Sequence, residues 1–362
     1  DRVLVSPASV AWKGPLTKLF VYEYLTGGGI DPALAGEASL LDLSALIVEG
    51  RAMRDALVKD LLDLGGVEVT FASSRFEAVD PARSHCKALP GESITAFVAR
   101  VARQHDRAWI IAPECDGLLL HLHDSVGSAR WLGCSKEAIR VASSKSATAA
   151  CLEAHGIAVT PSLEPGDMAK SGDPHARWVV KPDDGAGGLD TFVYDDFSDA
   201  CTEYEARASA GRNPVLQEWI DGEPLSLSLI CGENDVELIS INRQVIGLSD
   251  MAAPGRKEHV VEFSSVEVDQ IDRHSAEGRS LGVLARQVVA ALHGLRGYVG
   301  IDLVWHAQRG PVVIEVNPRL TAAYAGLSAR LGRNVAGDLL KAHGVPYECG
   351  ASTCACTTGA RP

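Results

Sequence analysis

Near the carboxyl end, YVGIDLVWHAQRGPVVIEVNP (Tyr298 to Pro318) alternates like two strands joined at a polar tip, and its acids stand among residues that belong in a core. Bare carboxylates are costly to bury, so a chain that builds this hairpin must supply something to offset them. Glu315 and Asn317 lie two apart on one strand and share a face. With the hairpin centred on Ala307–Gln308–Arg309, Asp302 falls opposite Glu315, and three hard oxygen donors converge. Mg²⁺ takes such ligands together with water and phosphate oxygens, and Mn²⁺ suits the same donors. The alternative is a polar outer face on an edge hairpin.

The 362 residues suffice for two or three domains with cores of their own. A formal net charge of −13 argues against a nucleic-acid partner, which asks for a basic footprint. No apolar run reaches the ~18 residues a membrane helix needs, so no membrane partner is expected. Nine cysteines, odd in number and irregularly spaced in apolar surroundings, read as reduced buried thiols of a cytoplasmic protein. Cys354 and Cys356 lie in a small-residue tail, 346–362, expected to be disordered. Residues 1–17 lack a signal peptide's cationic start and apolar core, and they lack an initiator Met. They are read as an N-terminal extension that need not be native.

Residues 18–25 read as a buried strand that runs into Gly27, Gly28 and Gly29. Leu43, Leu46, Ile47, Met53, Leu57, Leu61 and Leu62 recur at helical spacing, and Gly65-Gly66 stops that helix. VEVTFA alternates like a strand, ITAFVARVARQH is helical and AWIIAP is a buried strand. The alternation predicts an open parallel sheet from about Lys18 to Asp124, with Pro113 at the carboxyl edge where such sheets bind ligands. His121 and His123 alternate in LLLHLHDS as on one face of a strand, and read as two histidines without a metal role. Two short helices begin near Ser135 and Ser144, and Gly156 ends the second. From Trp178 the texture changes to short strands: RWVVKP, LDTFVY, PVLQEWI, LSLSLIC and VELISINRQ. Helices are expected over 199–210 and 276–295.

Two lysines point to an anion. Lys181 ends RWVVKP just before DDGAGG. Lys145 sits in the first turn of a helix, where a cation opposes the macrodipole by roughly 0.3 kcal/mol or more. DDGAGG does not end in Gly-Lys-Ser/Thr, so it is not a P-loop. Between two strands it is a hairpin loop whose amides, at Gly185, Gly187 and Gly188, can fold over phosphates. In LQEWIDGEPLSLSLI, Glu218 and Ile220 lie two apart on a strand, and Asp221-Gly222 turns the chain to Glu223. Backbone and acceptors there suit an adenine edge and a ribose diol, or form an ordinary strand, turn and strand.

In this order and spacing the elements resemble the ATP-grasp superfamily over about Gly127 to Val345. The resemblance implies an α/β ATP-grasp fold with an N-terminal open parallel-sheet (pre-ATP-grasp) domain. Residues 18–126 would be that front domain, 127–222 linker helices and a small lid subdomain, and 223–345 the large subdomain with the Mg²⁺ site. Lys145 and Lys181 would be the ATP-binding lysines, with Gly185, Gly187 and Gly188 over the phosphates. Glu218 and Ile220 would be the adenine hinge, and Glu223 the ribose acceptor. Asp302, Glu315 and Asn317 would ligate the metal, and Arg319 would face the reacting phosphate, with Lys181 and Arg243 beside it as catalytic groups. Ser144 stands where many members carry Asp, and a Ser there is a good N-cap. GYVGID lacks the Arg that the dipeptide-ligase branch carries near its metal Asp, which argues against a D-alanine-type ligase.

VYEYLTGGG, EGRAMRDALVKDL, VVKPDDGAGG, INRQ and IEVNPRLTAAYAGL together resemble one branch, the tyramine–L-glutamate ligases of methanofuran biosynthesis, over Leu19 to Leu340. That resemblance implies a ligase that activates a glutamate carboxylate as an acyl phosphate with ATP and Mg²⁺, and joins it to an amine such as tyramine or tyrosine. Its partners would be those small molecules, with a homo-oligomer left open. The alternatives are a ligase adding glutamate to another cofactor precursor, such as a pterin, and a non-catalytic ATP-binding module. Intact Asp302, Glu315, Asn317 and Arg319 speak against the last. Gly27–Gly29 lack the G-x-G-x-x-G spacing of a dinucleotide loop. In the ligase reading their amides approach a carboxylate, Glu23 pairs with an ammonium, and Arg243 holds the glutamate carboxylate or the acyl phosphate. Glu49 and Arg51 are weaker candidates. A plain turn, a structural acid and an ion-pair arginine are the alternatives.

Overall fold

The computed structural model describes residues 16–30, 37–167, 176–185, 187–253 and 256–347. The readings of residues 1–15, of the 348–362 tail and of Cys354 and Cys356 fall outside them. The front of the chain runs β1 (Thr17–Glu23), α1 (Glu37–Leu64), β2 (Val67–Ala72), β3 (His85–Cys86), α2 (Ile94–Ala102), β4 (Arg107–Ile111), α3 (Leu118–Val126) and β5 (Trp131–Leu132). The five strands form one sheet in the order β3-β2-β1-β4-β5, every pair parallel. β1 is buried on both faces. Leu19 and Val21 pack with Leu57 and Leu61 of α1, while Phe20 and Tyr22 pack with Phe97 of α2 and Leu119 of α3. Burying each such side chain stabilises by about 1.5–3 kcal/mol. The carboxyl edge of this sheet therefore gathers Glu23, the residues after Ala72, and the turn after Ile111.

Two sequence expectations fail here. LLLHLHDS is helix α3, bracketed by Gly117 (φ 68) and Gly127 (φ 80). Residues two apart on a helix point about 200° apart, so exposed His121 and buried His123 share no face. The sheet also extends past Asp124, because β5 pairs with β4 at Ala108↔Trp131. A two-residue strand is too short to show a period.

Two helices follow, α4 (Lys136–Ala142) and α5 (Lys145–Ala154), then β6 (Ser162–Leu163), β7 (Trp178–Pro182), β8 (Phe192–Tyr194), α6 (Phe197–Ser209) and β9 (Pro214–Glu218). The rest is β10 (Glu223–Cys231), β11 (Val236–Ala253), β12 (Arg256–Glu267), α7 (Ala276–Ala291), β13 (Gly297–His306), β14 (Gly310–Asn317), α8 (Leu327–Leu331) and α9 (Val335–Ala342). Nine strands make one sheet, β14-β13-β10-β11-β12-β8-β7-β9-β6, antiparallel throughout. β9 ends at Glu218, so Ile220 lies buried beyond the strand rather than two apart on it. Leu225, Leu227, Leu229, Ile301 and Leu303 join the core formed with Leu281, Leu284 and Val288 of α7. The register sets Ser226 opposite both Asn242 and Asp302, so the other face is polar.

The β13–β14 hairpin is not a simple one. Pairing runs from His306↔Gly310 to Leu303↔Val313, then shifts so that Asp302 meets Glu315. The expected pairing is present, but not through the symmetry invoked for it: an uninterrupted ladder centred on Gln308 would set Asp302 against Ile314 and turn Glu315 to the core face. The bulge is what puts the two acids together.

α9 ends against the start of β13. A Cβ at Gly297 (φ 72) would come within 2.5 Å of His343 Nε2, an atom that is buried without a hydrogen-bond partner. Burial, with Arg296 and Arg107, pushes the imidazole down to about 4. The unfolded chain, titrating near 6.5, then binds the proton more readily than the fold. Stability present above about pH 6.5 should fall as pH drops towards 4, by up to about 3 kcal/mol. Urea titrations at pH 7 and 4.5 should show that slope in the wild type and a flatter one in His343→Leu; equal slopes would remove His343 from the account.

Candidate active site

The first turn of α5 is assembled from two elements. Ser144 Oγ accepts from the Ala147 amide at 3.0 Å. Asp183, just past β7, accepts the Ser146 amide on Oδ1 at 2.8 Å and the Lys145 amide on its carbonyl at 3.0 Å. The exit of one strand thus caps the helix and fixes Lys145 despite the unfavourable dipole. Lys145 Nζ lies 3.3 Å from Glu315 Oε2 and donates to the Gly185 carbonyl. Lys181, two residues before Asp183, is buried and makes no hydrogen bond or ion pair among the described residues, although the charges of Glu315, Asp183 and Asp302 lie near it. Burial and the neighbouring Lys145 lower it to about 8. An orphaned buried cation is costly, and an anion is what would satisfy it.

Facing the lysines are the hairpin acids. Asp302 accepts from Gln244 Nε2 at 3.1 Å and from Asn317 Nδ2 at 3.2 Å. Burial, the charge of Glu315 and a hydrogen bond with it raise the Asp302 carboxyl well above the usual carboxylate range. Burial works the same way on Glu315, but Lys145 and Lys181 outweigh it and hold that carboxyl low. Two buried carboxyls that cannot both ionise alone are suited to a cation. No three His, Cys, Asp or Glu side chains gather at one point among the described residues. The oxygen donors that this face could offer a cation are two carboxylates and the Asn317 amide oxygen, a set compatible with Mg²⁺, an ion commonly held by one or two carboxylates plus phosphate oxygens.

Arg319, two residues past Asn317, is buried against Glu114. Its Nε donates to Glu114 Oε1 at 2.8 Å and its Nη2 to Oε2 at 2.9 Å. Glu114 belongs to the turn after β4, so the front sheet's carboxyl edge meets the hairpin here. Glu49 of α1 is half-buried on the same side and makes no hydrogen bond among the described residues; burial raises its carboxyl, Arg319 pulls it back and Glu23 adds to the rise. Glu23 closes its own turn, accepting from Thr26 N at 2.8 Å, Thr26 Oγ1 at 2.7 Å and Leu25 N at 3.1 Å. The glycines after it also have local reasons. A Cβ at Gly27 would strike the Tyr22 ring at 2.6 Å, one at Gly29 would strike Tyr24, and Gly28 has φ 92. This geometry accounts for Gly27–Gly29 without a ligand. Arg51 pairs with Glu77 at 3.4 Å.

The remaining sequence candidates lie towards the hinge. Arg243 and Glu223 form an exposed pair at 2.6 Å. Glu218 meets Arg309 at 3.3 Å. Along β7, Lys181 is three residues from Trp178, the register partner of Glu218; along β10, Ser226 opposite Asp302 is three residues from Glu223. Both spans are about 10 Å, with Glu218 and Glu223 at one end and the lysines and hairpin acids at the other. Gly187 (φ 66) and Gly188 (φ 72) turn the loop between β7 and β8.

Sequence reasoning missed Glu114, Asp183 and Gln244. Strand parity could have found Gln244, since Asn242 and Gln244 share a face that Arg243 leaves. Mg²⁺ with ADP should raise the melting temperature of the wild type, as any ligand of the folded state does. Glu315→Gln should lose most of that gain by calorimetry, and an equal gain in both proteins would contradict the metal assignment.

Residues 142–323 match the ATP-grasp domain family and residues 68–139 the pre ATP-grasp 3 domain. The chain is similar to the tyramine–L-glutamate ligase of Methanocaldococcus jannaschii, with 30% identity over 224 residues covering 61% of this chain and 58% of that protein. It is similar to the ligase of the same name from Methanocaldococcus fervens, at 28% identity over 224 residues and 61% of each chain. The match spans less than two thirds of either relative. Among solved structures it is similar to an ATP-grasp superfamily protein from Archaeoglobus fulgidus, with TM-score 0.63, 26% identity, and 92% and 90% of the two chains covered. The L-amino acid ligase from Bacillus licheniformis shares the fold at TM-score 0.56, 18% identity, and 92% and 76% coverage. The domain match takes in half of the chain and contains Lys145, Lys181, the loop between β7 and β8, and the β13–β14 hairpin: with a pre-ATP-grasp domain in front, the chain belongs to the ATP-grasp family.

Proposed function

We propose that the protein is an ADP-forming ligase that activates a carboxylate of glutamate and joins it to an amine such as tyramine. The observation that carries this reading is Lys181, a buried cation with no hydrogen bond or ion pair among the described residues, set near a half-buried carboxylate pair. That arrangement suits a polyphosphate and its counter-ion, and the front sheet's carboxyl edge stands beside it. The names of the two archaeal relatives supply the substrate class.

In this account Lys145 and Lys181 hold phosphate oxygens, and the loop at Gly185, Gly187 and Gly188 folds over them. Glu218, Ile220 and Glu223 receive the base and ribose. Asp302, Glu315 and Asn317 would hold Mg²⁺, which when bound neutralises charge on the β- and γ-phosphates. A glutamate carboxylate oxygen attacks the γ-phosphorus and ADP leaves; Arg319 meets the charge on the transferred group. The amine nitrogen then attacks the acyl carbon and phosphate departs with that oxygen. The amine arrives as an ammonium and must lose protons. Half-buried Glu49 is the candidate to take one, and Arg243, paired with Glu223 towards the hinge, would have to leave that pair to hold a glutamate carboxylate.

ADP release should require glutamate, and adding tyramine should yield a product of the amide's mass. Lys181→Ala and Glu315→Ala should each lower turnover by about 100-fold or more while circular dichroism stays native. ATP turnover with no amide from tyramine, tyrosine or pterin amines would overturn the reading, as would near-normal rates in either variant.

A further inference from the structure

Arg319 is not free to meet a phosphate with its whole fork. A guanidinium has five N–H donors. Nε and one Nη2 hydrogen go to the two oxygens of Glu114, at 2.8 and 2.9 Å. One Nη1 hydrogen goes to the Leu320 carbonyl at 3.2 Å. Two donors are left, one on each terminal nitrogen. The planar fork is thereby fixed in rotation, with a matched pair of N–H groups for the oxygens of one anion.

The partner comes from the other domain. Glu114 lies three residues past Ile111, the end of β4, while Arg319 lies two past Asn317, the end of β14. The turn that carries Glu114 is itself pinned. Asp116 (φ 53) and Gly117 (φ 68) take left-handed conformations. The Asp116 amide donates to Asp184 Oδ2 at 2.7 Å, at the root of the loop between β7 and β8. One short turn of the front domain thus touches both the arginine and the phosphate-side loop. Both members of the Glu114–Arg319 pair are buried, with side-chain exposures of 6% and 13%. An Arg–carboxylate pair of that burial needs good geometry to offset desolvation, and the bidentate contact supplies it.

We propose that Glu114 is the positioning residue for Arg319: the front domain orients the guanidinium so that its two remaining N–H groups meet the anion formed in phosphoryl transfer. The proposal rests on the ligase reading, in which Arg319 faces that anion. A purely structural clamp would weaken the fold and nucleotide binding together. A positioning residue lowers kcat, leaves ATP affinity alone, and acts only through its arginine.

The test starts from glutamate-dependent ADP release by the wild-type chain; its absence would sink the ligase reading and not this one. Given that activity, Glu114→Gln should lower kcat by about 10-fold or more, with KM for ATP and calorimetric affinity for ADP within about 3-fold of wild type. Combined with Arg319→Lys, it should slow turnover by less than about 2-fold beyond Arg319→Lys alone. Glu114→Asp, which keeps the charge but shortens the arm, should fall between wild type and Gln, and it decides the matter by the same readouts should the Gln variant not fold. Losses that multiply in the double variant, wild-type kcat in Glu114→Gln and Glu114→Asp, or a kcat loss matched by an equal loss of ADP affinity would each overturn the proposal.

Discussion

Asp302 and Glu315 face each other on neighbouring strands, half-buried, where each raises the cost of ionising the other. Most of the site follows from that conflict. Lys145 stands against Glu315, and Lys181 adds a second positive charge. Gln244 and Asn317 supply neutral donors to Asp302, so the acid keeps its position whatever its protonation. The cations are equally constrained. Lys145 is at the wrong end of a helix for its charge, and Lys181 makes no hydrogen bond or ion pair among the described residues. Charges of both signs lie near one another, partly or wholly buried and incompletely satisfied, an arrangement that a metal-bound polyphosphate would complete from both sides.

The second constraint is the seam between the two sheets. The parallel sheet contributes its carboxyl edge, as open α/β sheets generally do, but what it brings is mainly acidic. Glu23 is used by its own turn and Glu114 by Arg319, while half-buried Glu49 makes no hydrogen bond among the described residues. The antiparallel sheet brings the cations and the hairpin. Arg319 and Glu114 join the two halves at the point where phosphate chemistry and acceptor would meet. A pair so placed gives the front domain a direct hold on the phosphoryl-facing group without its touching the nucleotide.

Much of this was legible in the sequence. Alternation of strands and helices disclosed the parallel sheet because its strands are buried on both faces and its helices are amphipathic. Ser144 before Lys145 disclosed the start of α5, and Glu315 with Asn317 disclosed the hairpin's polar face. What stayed hidden was mostly non-local. The pairing of Asp302 with Glu315 was expected from the sequence, but the bulge that produces it was not, because hairpin symmetry alone does not reveal one. Glu114 and Asp183 look like ordinary loop acids until Arg319 and α5 are folded against them. LLLHLHDS misled because a two-residue spacing of histidines imitates a strand, whereas the flanking glycines mark helix ends. In SINRQ the charged Arg243 drew notice, although strand parity turns its neighbour Gln244 towards Asp302.

The central claim is that this seam makes an acyl phosphate from a carboxylate and ATP. It is tested most directly by following an oxygen atom. Glutamate labelled with ¹⁸O in its carboxylates is incubated with ATP, Mg²⁺ and tyramine, and the released inorganic phosphate is weighed by mass spectrometry. Attack of the carboxylate on the γ-phosphorus carries one labelled oxygen into each phosphate as the amide forms. Amide formed alongside phosphate that contains no label would contradict the account.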